Sequence, residues 1–227
     1  MHVVLDDAPS GVRDSPDLSP SERARADAFR SELEGARYAA AHVFLRHALA
    51  EYVAAPPHAI PLVRVCPVCG SVEHGKPAVE GADVEFNLSH SAGHGLVGIA
   101  RGAAVGVDLE PISPRVDWAA VGSVAFPRSE IDLLQQTPAA VAPELAARLW
   151  CRREAAVKAV GHGLAIDLRE LEFTSAPMAD WARTSVACGG SRSEVIVREI
   201  AVAGGVVAAL ALVSERPRPV RTRQWAW

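Results

Sequence analysis

Two acidic residues in the stretch GVDLE, Asp108 and Glu110, are the first whose spacing suggests chemistry. Side chains alternate along a strand, so both carboxylates point to one face, while Val107 and Leu109 point into the core. Neighbouring carboxylates repel each other unless a cation lies between them. A solvated strand end running into Pro111 is the alternative, and this pair alone does not decide between the two interpretations.

A third carboxylate lies on a helical pattern further along the chain. In WCRREAAVK, Trp150, Glu154 and Lys158 recur every four residues and share one helix face. An exposed Glu–Lys pair is common and contributes little, but the tryptophan indicates that this face is partly buried. Three acids from a strand and a helix suit Mg²⁺, which prefers carboxylates together with substrate phosphate oxygens. We expect Lys158 and Arg153 to face that phosphate.

The residues SHS that follow the strand-like stretch VEFNL could bind phosphate. The hydroxyl of Ser89 and the imidazole of His90 can donate hydrogen bonds to phosphate oxygens. A lone histidine is more often an ordinary core or loop residue. A Ser/His hydrolase is disfavoured because the nucleophile-elbow motif GxSxG is absent.

Cations elsewhere in the chain could meet a nucleotide. Lys76 stands between Gly75 and Pro77 on a stiff turn, which would hold its ammonium in place. Arg25 and Arg37 lie on early helical segments and are further candidates for phosphate contacts. Taken singly, each arginine is better explained as ordinary surface charge.

Cys66 and Cys69 form a CxxC motif in RVCPVCGSVEHGKP, with His74 following. A closed zinc site needs four ligands, commonly from two such knuckles. No second knuckle follows, since Cys151 and Cys188 are isolated in the sequence. The sequence therefore favours a turn with two reduced thiols over bound zinc, which stays the alternative.

A mixed order of helices and strands must position these residues. Apolar periodicity predicts helices, one of them capped by Ser19 or Ser21 and running through Phe29, and the others at 35–53, 126–134 and 143–160. Alternating or continuous apolar runs predict strands at 2–5, 84–91, 94–101, 104–111, 168–173, 181–188, 193–202 and 205–213. This order predicts an α+β fold of two similar halves, residues 1–105 and 106–227.

Composition restricts the class of protein. Of the 227 residues, 49% are hydrophobic, and the net charge of −4 comes without a basic run typical of nucleic-acid binding. The first residues do not resemble a signal peptide. The longest apolar stretch, 200–213, is too short to span a bilayer and is interrupted by Gly204 and Gly205. We expect a soluble, cytoplasmic protein without nucleic-acid or membrane partners.

Five motifs in order resemble those of the 4′-phosphopantetheinyl transferases of the surfactin-synthetase-activating type: GKP (75–77), FNLSHS (86–91), GVDLE (106–110), FPRSE (126–130) and WCRREAAVKAVGHGL (150–164). The resemblance runs from about Leu18 to Leu164 and continues weakly through the C-terminal strands. It implies a pseudo-dimer of two similar α/β subdomains with the active site in the cleft between them. It also implies transfer of the phosphopantetheine arm of coenzyme A to a serine of an apo acyl or peptidyl carrier protein, which releases adenosine 3′,5′-bisphosphate.

The resemblance further implies roles for single residues. Asp108, Glu110 and Glu154 would bind Mg²⁺, with Mn²⁺ as a substitute. Lys158 would touch the phosphates or help to deprotonate the serine, Glu154 is the other candidate base, and Glu130 would orient a water molecule. The residues implied in coenzyme A binding are Arg25, Arg37, Gly75, Lys76, Pro77, Ser89, His90 and Lys158. One chain can supply both sides of the cleft, so we expect a monomer.

Three positions depart from the family pattern and bear on coenzyme A affinity. Arg153 replaces a common lysine, Glu22 stands where a basic residue is frequent, and Tyr38 replaces a small hydroxyl residue. Two other functions stay open: a different metal-dependent phosphoryl or nucleotidyl enzyme, although the P-loop motif is absent, and a non-catalytic carrier-protein or zinc-knuckle interaction module. The sequence does not name the carrier, whose contact surface we expect in loops around 112–130.

Overall fold

The computed structural model describes residues 1–66, 69–72, 74–113, 116–163, 166–175 and 180–227. Within them the helices are α1 (Pro20–Asp27), α2 (Glu32–Ala50), α3 (Trp118–Ala125), α4 (Arg128–Gln136) and α5 (Ala142–Val160). The strands are β1 (His2–Val4), β2 (Leu62–Arg64), β3 (Pro77–Val79), β4 (Glu85–Ser91), β5 (His94–Ala100), β6 (Val105–Pro111), β7 (Ala182–Cys188), β8 (Ser191–Ile200) and β9 (Val206–Val213). The predicted α+β class is confirmed. Four residues of the motifs quoted above, Pro67, Val68, Glu73 and Leu164, lie outside the described residues.

The first part of the chain builds a three-stranded antiparallel sheet in the order β1-β5-β4, with α2 packed against it. α1 begins with a capping box, in which the Ser19 hydroxyl accepts from the Glu22 N–H and the Glu22 carboxylate accepts from the Ser19 N–H. Phe44 of α2 and Phe86 of β4 are fully buried in the core between helix and sheet. β2 and β3 form a separate two-stranded hairpin.

The second part builds a four-stranded antiparallel sheet in the order β6-β9-β8-β7. α5 packs across it, mainly against β6 and β9, and ends at Gly161, whose φ of +84° is the left-handed conformation of a glycine helix stop. The aliphatic residues of β9, VVAALALV, are mostly buried, because the strand lies inside the sheet with the helix on one face.

The two sheets meet at β4 and β6, which are in contact but share no ladder in the described sheets. Gly98 of β5 leaves room for Val107, because a Cβ at Gly98 would lie 2.6 Å from Val107 Cγ1. The backbone N–H of Val107 donates to Asn87 Oδ1 at 2.8 Å, so the buried amide of Asn87 bonds to the second sheet. These contacts fix β4 against β6 at the position of the acidic pair.

Several sequence predictions differ from the structure. Residues 168–173, predicted as a strand, contain a single 3-10 turn at Leu168–Glu170 because the Asp167 side chain accepts from the Arg169 N–H and caps that turn. The hairpin β2–β3 was not predicted, and the segment expected to be loops around 112–130 contains α3 and the start of α4.

The C-terminal tail, residues 214–227, has no helix or strand of its own, but it packs on the first strand. Trp225 N–H donates to the carbonyl of His2 at 2.8 Å, and Trp227 Nε1 donates to the carbonyl of Val4 at 2.8 Å. In the described ranges no helix combines the length and the apolar character needed to cross a bilayer.

Candidate active site

The acidic pair of β6 faces β4. Asp108 is 2% exposed, and its Oδ1 accepts a hydrogen bond from the Ser89 hydroxyl at 3.0 Å. Two residues along both strands, the Ser91 hydroxyl donates to Glu110 Oε2 at 3.3 Å. The intervening Leu109 is buried on the opposite face. The alternation therefore places both carboxylates as predicted, with a serine of β4 beside each.

Helix α5 brings a third carboxylate, that of Glu154, and the ammonium of Lys158 to this pair. Gly106 makes the close approach possible, because a Cβ there would overlap the backbone of Ala155 and Ala159. Lys158 Nζ then lies 2.5 Å from Asp108 Oδ1. At the other end of the helix face, Trp150 donates its indole N–H to Glu110 at 3.3 Å.

Negative charge exceeds positive charge in this cluster, which consists of Asp108, Glu110, Glu154 and Lys158. Burial, and then repulsion from Asp108, raises the pKa of Glu110. Burial also raises the pKa of Glu154, although Lys158 opposes it. Among the described residues, the buried Oδ2 of Asp108 has no hydrogen-bond partner. Buried carboxylate oxygens are normally satisfied, so the cluster is short of cationic partners.

This donor set fits a hard divalent cation. Mg²⁺ is bound through a few carboxylates and keeps positions for substrate phosphate oxygens. Asp108, Glu110 and Glu154 are the side chains that could hold it, and the unpartnered Asp108 Oδ2 is the atom whose state such an ion would explain. A cation would also offset the burial cost and the repulsion from Asp108 that together raise the pKa of Glu110.

A cavity of about 1630 Å³ begins at Glu154 and Lys158 and extends along the first part of the chain. It exceeds the roughly 300–1,000 Å³ of ordinary small-molecule pockets, so it can take a long ligand. Its walls are rich in basic groups. The basic side chains that line it are Arg25, His42, Arg46, His58, Arg64, His74, Lys76, His90, Lys158 and His162.

Lys76 connects the hairpin to the end of α5. Its ammonium donates to the carbonyl of Ala159 at 3.2 Å and to Glu85 at 3.3 Å. Burial lowers the pKa of Lys76, while Glu85 opposes that change. Gly75 and Pro77 line the same cavity. The GKP residues thus line the same cavity as His90, Arg25 and Lys158.

Not all predicted site residues join this group. Arg37 binds Asp6 through two hydrogen bonds of 2.6 and 2.7 Å and also pairs with Glu34. It lines a separate cavity beside the 3-10 turn at Val12–Asp14. Ser89 reaches the cluster, but its hydroxyl donates to Asp108. Neither placement tests the predicted phosphate contacts.

The expectation that Arg153 faces phosphate is wrong. Arg153 is 0% exposed, and its guanidinium donates to the carbonyls of Leu149, Leu168 and Leu171. Its Nη1 lies 2.8 Å from Glu130 Oε2. The described contact of Glu130 is therefore with this buried arginine, and burial raises the pKa of Glu130 although Arg153 opposes it. The catalytic role predicted for Glu130 stays a prediction.

Sequence reasoning missed a second charged cluster on the cavity wall. Glu22 Oε2 accepts from Arg46 Nε at 2.8 Å, and Glu22 Oε1 lies 3.0 Å from His42 Nδ1. Arg46 also donates to the carbonyls of Pro57 and Ile60. Two basic residues four apart in an apolar helix are the signal that could have indicated a buried acidic partner.

The comparisons with known proteins agree with this geometry. Residues 104–209 match the sequence model of the 4′-phosphopantetheinyl transferase superfamily. This range therefore belongs to the superfamily that the motifs predict, and the surfactin-synthetase-activating type is compatible with the match. The matched range contains β6 and α5, which carry all four members of the acidic cluster.

Relatives extend the similarity beyond that range. The chain is 29% identical over 211 residues to the 4′-phosphopantetheinyl transferase HetI of Nostoc sp., a match that covers 91% of this chain and 85% of the relative. It is 32% identical over 154 residues to the 4′-phosphopantetheinyl transferase psf-1 of Bacillus pumilus, covering 67% and 62%. It is 39% identical over 93 residues to the 4′-phosphopantetheinyl transferase AcpT of Salmonella typhimurium, covering 39% and 47%.

Proposed function

We propose that this protein transfers the 4′-phosphopantetheine arm of coenzyme A to a serine of an apo acyl or peptidyl carrier protein. Holo carrier protein and adenosine 3′,5′-bisphosphate are the products. The observation that carries the proposal is the acidic cluster with an unpartnered carboxylate oxygen at one end of a long basic cavity. An ion-binding group beside a polyanion-binding cleft suits phosphoryl chemistry on a nucleotide.

Coenzyme A is a polyanion with an elongated shape, and the cavity matches both properties. Arg25 and Arg64 are exposed on its wall, and Lys76 lies near its Lys158 end. We place the nucleotide along this wall, with Gly75, Lys76 and Pro77 on the adenine side and Ser89 and His90 near the phosphates. The pyrophosphate then lies against the acidic cluster.

Asp108, Glu110 and Glu154 would hold Mg²⁺, with Mn²⁺ as a substitute. An ion held there would stabilise negative charge while the serine oxygen bonds to the phosphorus next to the arm and the P–O bond inside the pyrophosphate breaks. The other phosphate then leaves as part of adenosine 3′,5′-bisphosphate. Lys158 donates a hydrogen bond to the same phosphate group. Either Lys158 or Glu154 accepts the proton of the attacking serine; the raised pKa of Glu154 suits a proton acceptor.

The direct test is the intact mass of a panel of apo carrier proteins incubated with this protein, coenzyme A and Mg²⁺. We expect a gain of one phosphopantetheine group on at least one carrier, abolished by EDTA and restored by excess Mg²⁺. Binding of coenzyme A without transfer to any carrier would favour the non-catalytic interaction module. If the protein neither binds coenzyme A nor modifies any carrier, the proposal is overturned.

Two arginines on the early helices form a matched pair that tests the placement of coenzyme A. Arg25 lines the cavity and Arg37 lies outside it, paired with Asp6. We expect Arg25→Ala to raise the KM for coenzyme A roughly tenfold, as one charge-assisted contact is lost, and Arg37→Ala to change it little. The reverse result would place the nucleotide against Arg37, which the family resemblance implies in coenzyme A binding together with Arg25.

The carrier would dock beside α3, within the segment predicted for its contact surface. Val124 is 69% exposed and lines the cavity, so it is available to a partner near the cluster. Val124→Asp should raise the KM for the carrier without changing the KM for coenzyme A. Equal changes in both constants would remove α3 from the carrier contact.

The arrangement of the whole chain belongs to the same proposal. We propose that 1–105 and 106–227 are two similar halves of a pseudo-dimer, with the active site in the cleft between them, in a cytoplasmic monomer. Each half pairs one long helix, α2 or α5, with an antiparallel sheet, which supports the duplication. A stable dimer in size-exclusion chromatography with light scattering would contradict the monomer.

A further inference from the structure

The loop between β2 and β3 holds a group of side chains that the proposed transfer does not use. One ligand atom each from Cys66, Cys69 and His74 lies within 4.8 Å of the other two. Cys69 Sγ is 3.3 Å from His74 Nε2. We propose that these three residues bind a structural Zn²⁺, with a solvent molecule in the fourth position.

The spacing of the three atoms fits tetrahedral zinc. Bonds of about 2.3 Å to sulfur and about 2.0–2.1 Å to nitrogen put two sulfurs roughly 3.8 Å apart, and sulfur and nitrogen roughly 3.6 Å apart. The observed sulfur–nitrogen distance of 3.3 Å is close to that value, and 4.8 Å is the upper limit for the whole group. Two thiolates and an imidazole favour zinc over Mg²⁺, which prefers oxygen ligands.

The backbone of the loop is folded as a tight turn around the first cysteine. Gly70 N–H donates to the carbonyl of Cys66, and Cys66 N–H donates to the carbonyl of Ser71, both at 2.8 Å. Gly70 has a φ of +71°, a left-handed conformation that glycine adopts without strain. This turn brings both cysteines to one point, which a turn needed only for chain reversal would not require.

Few apolar contacts hold this loop in its described part. Val65 and Val72 are 59% and 68% exposed, whereas Cys66 is buried. The flanking strands β2 and β3 have three residues each. A hairpin this short is marginally stable by itself, and a metal that joins both ends of its loop offsets the entropy of closing it.

The metal site is joined directly to the wall of the long cavity. Gly75, with a φ of +115°, lies so close to Cys66 that a Cβ would be 2.9 Å from the Cys66 Cα. Its carbonyl accepts from Arg64 Nη1 at 3.1 Å. Zinc would therefore fix the position of Gly75 and of the adjacent Lys76. This consequence, though not the metal site itself, rests on the proposed binding of coenzyme A.

Zinc content is the first test, on full-length protein purified without chelators. Elemental mass spectrometry should find about one zinc per chain in the wild type and in the control variant Cys188→Ser. Cys188 lies at the end of β7, outside the proposed site. The zinc content of Cys69→Ser should be lower by a factor of roughly ten or more, because a ligand is lost. Equal zinc in Cys69→Ser and the wild type would overturn the proposed ligand set.

Cobalt provides a probe that does not depend on the metal present during purification. Metal-free wild type titrated with Co²⁺ should show a thiolate-to-cobalt charge-transfer band that Zn²⁺ displaces, and Cys69→Ser should show a weaker band. If wild type with an intact circular dichroism spectrum shows neither zinc nor the cobalt band, the zinc site is overturned. The interpretation as a turn with two reduced thiols would then stand.

The link to the cavity is tested after chelation and refilling with excess Mg²⁺ alone. We expect the KM for coenzyme A to rise several-fold with little change in kcat, and Zn²⁺ to reverse the rise. An unchanged KM would show that zinc does not position Lys76. Zinc binding in a protein that modifies no carrier would leave the metal site standing and overturn the proposed function, so the two failures are distinguishable.

Discussion

Two buried acidic clusters in this molecule differ in how their charge is balanced. Around Glu22, the groups from Arg46, His42 and the Ser19 backbone N–H all approach one carboxylate. Burial acts to raise the pKa of Glu22, but these hydrogen bonds outweigh it and lower the pKa to about 2. The cluster is complete without any ligand, and it ties α1 to α2.

The cluster of Asp108, Glu110, Glu154 and Lys158 has the opposite balance. Lys158 is the cation that contacts it, and burial raises the pKa of both glutamates. The Oδ2 of Asp108 lacks a partner among the described residues. Comparable burial therefore has two outcomes. The charges of the Glu22 cluster are balanced within the protein, whereas the Asp108 cluster has surplus negative charge that a bound cation would offset, as in a binding site.

The largest expected effect is on catalysis at the unbalanced cluster. Asp108→Asn keeps the size and the Ser89 contact but removes a carboxylate that we propose as a metal ligand. We expect the rate of carrier modification, followed by intact mass, to fall roughly 10³-fold, equivalent to about 4 kcal/mol of transition-state stabilisation. Near-normal turnover would remove Asp108 from the metal site.

The next effect is on stability and compares two Glu→Gln changes. Glu22→Gln leaves the buried Arg46 without its counter-charge, so the free energy of unfolding should fall by about 3 kcal/mol. Glu110→Gln removes surplus negative charge, so the free energy of unfolding should stay unchanged or rise. Urea denaturation without Mg²⁺ measures both variants. Equal losses would mean that the two clusters are balanced alike.

The pH dependence of stability should have opposite signs at the two clusters. The folded-state pKa of Glu22, about 2, lies below its ordinary value of 4.5, so its contribution is complete above about 4.5 and is lost as the pH falls towards 2. Glu110 has a raised pKa and destabilises the fold at neutral pH, and this cost disappears as the pH falls through that pKa.

Urea denaturation across this pH range, on wild type and both Glu→Gln variants, tests these signs. The difference between wild type and Glu22→Gln should shrink in acid below about 4.5. The difference in the free energy of unfolding between wild type and Glu110→Gln should disappear at a higher pH than the difference for Glu22→Gln. Parallel curves for all three proteins would show that neither carboxyl has a shifted pKa.

The smallest expected effect is stabilisation by Mg²⁺ without substrate. At a concentration of ten times its Kd, an ion that binds only the folded state adds about 1.4 kcal/mol. Thermal unfolding of the wild type and of Glu22→Gln should show this increment, whereas Asp108→Asn should lose it. The same increment in all three proteins would place the ion outside the Asp108 cluster.

The long elements were predictable from the sequence because they repeat a period often enough. The segment 143–160 became α5, and 84–91, 94–101 and 104–111 became β4, β5 and β6 with small shifts at their ends. The three-residue strands β2 and β3 contain too few residues to show alternation. In 168–173, the alternation of LRELEF fits a strand, but the Asp167 cap selects a 3-10 turn.

The candidate site was predictable where geometry is local. The strand period places Asp108 and Glu110 together, and the helix period places Glu154 with Lys158. Arg153 was misjudged because it is one residue, or about 100°, away from Glu154 around the helix, and there it is buried against Phe126 and Phe173. Partners from distant segments, such as Glu22 for Arg46, have no local signal.

The order β6-β9-β8-β7 has a consequence for how the chain folds. β6, which carries the two acids, pairs with β9, a strand synthesised roughly a hundred residues later. Such a non-local pairing makes folding slow, and α5 can dock on β6 well before β9 emerges from the ribosome. In a nascent chain that stops before Val206, the edge of β6 would lack its hydrogen-bonding partner β9 and would be prone to aggregate.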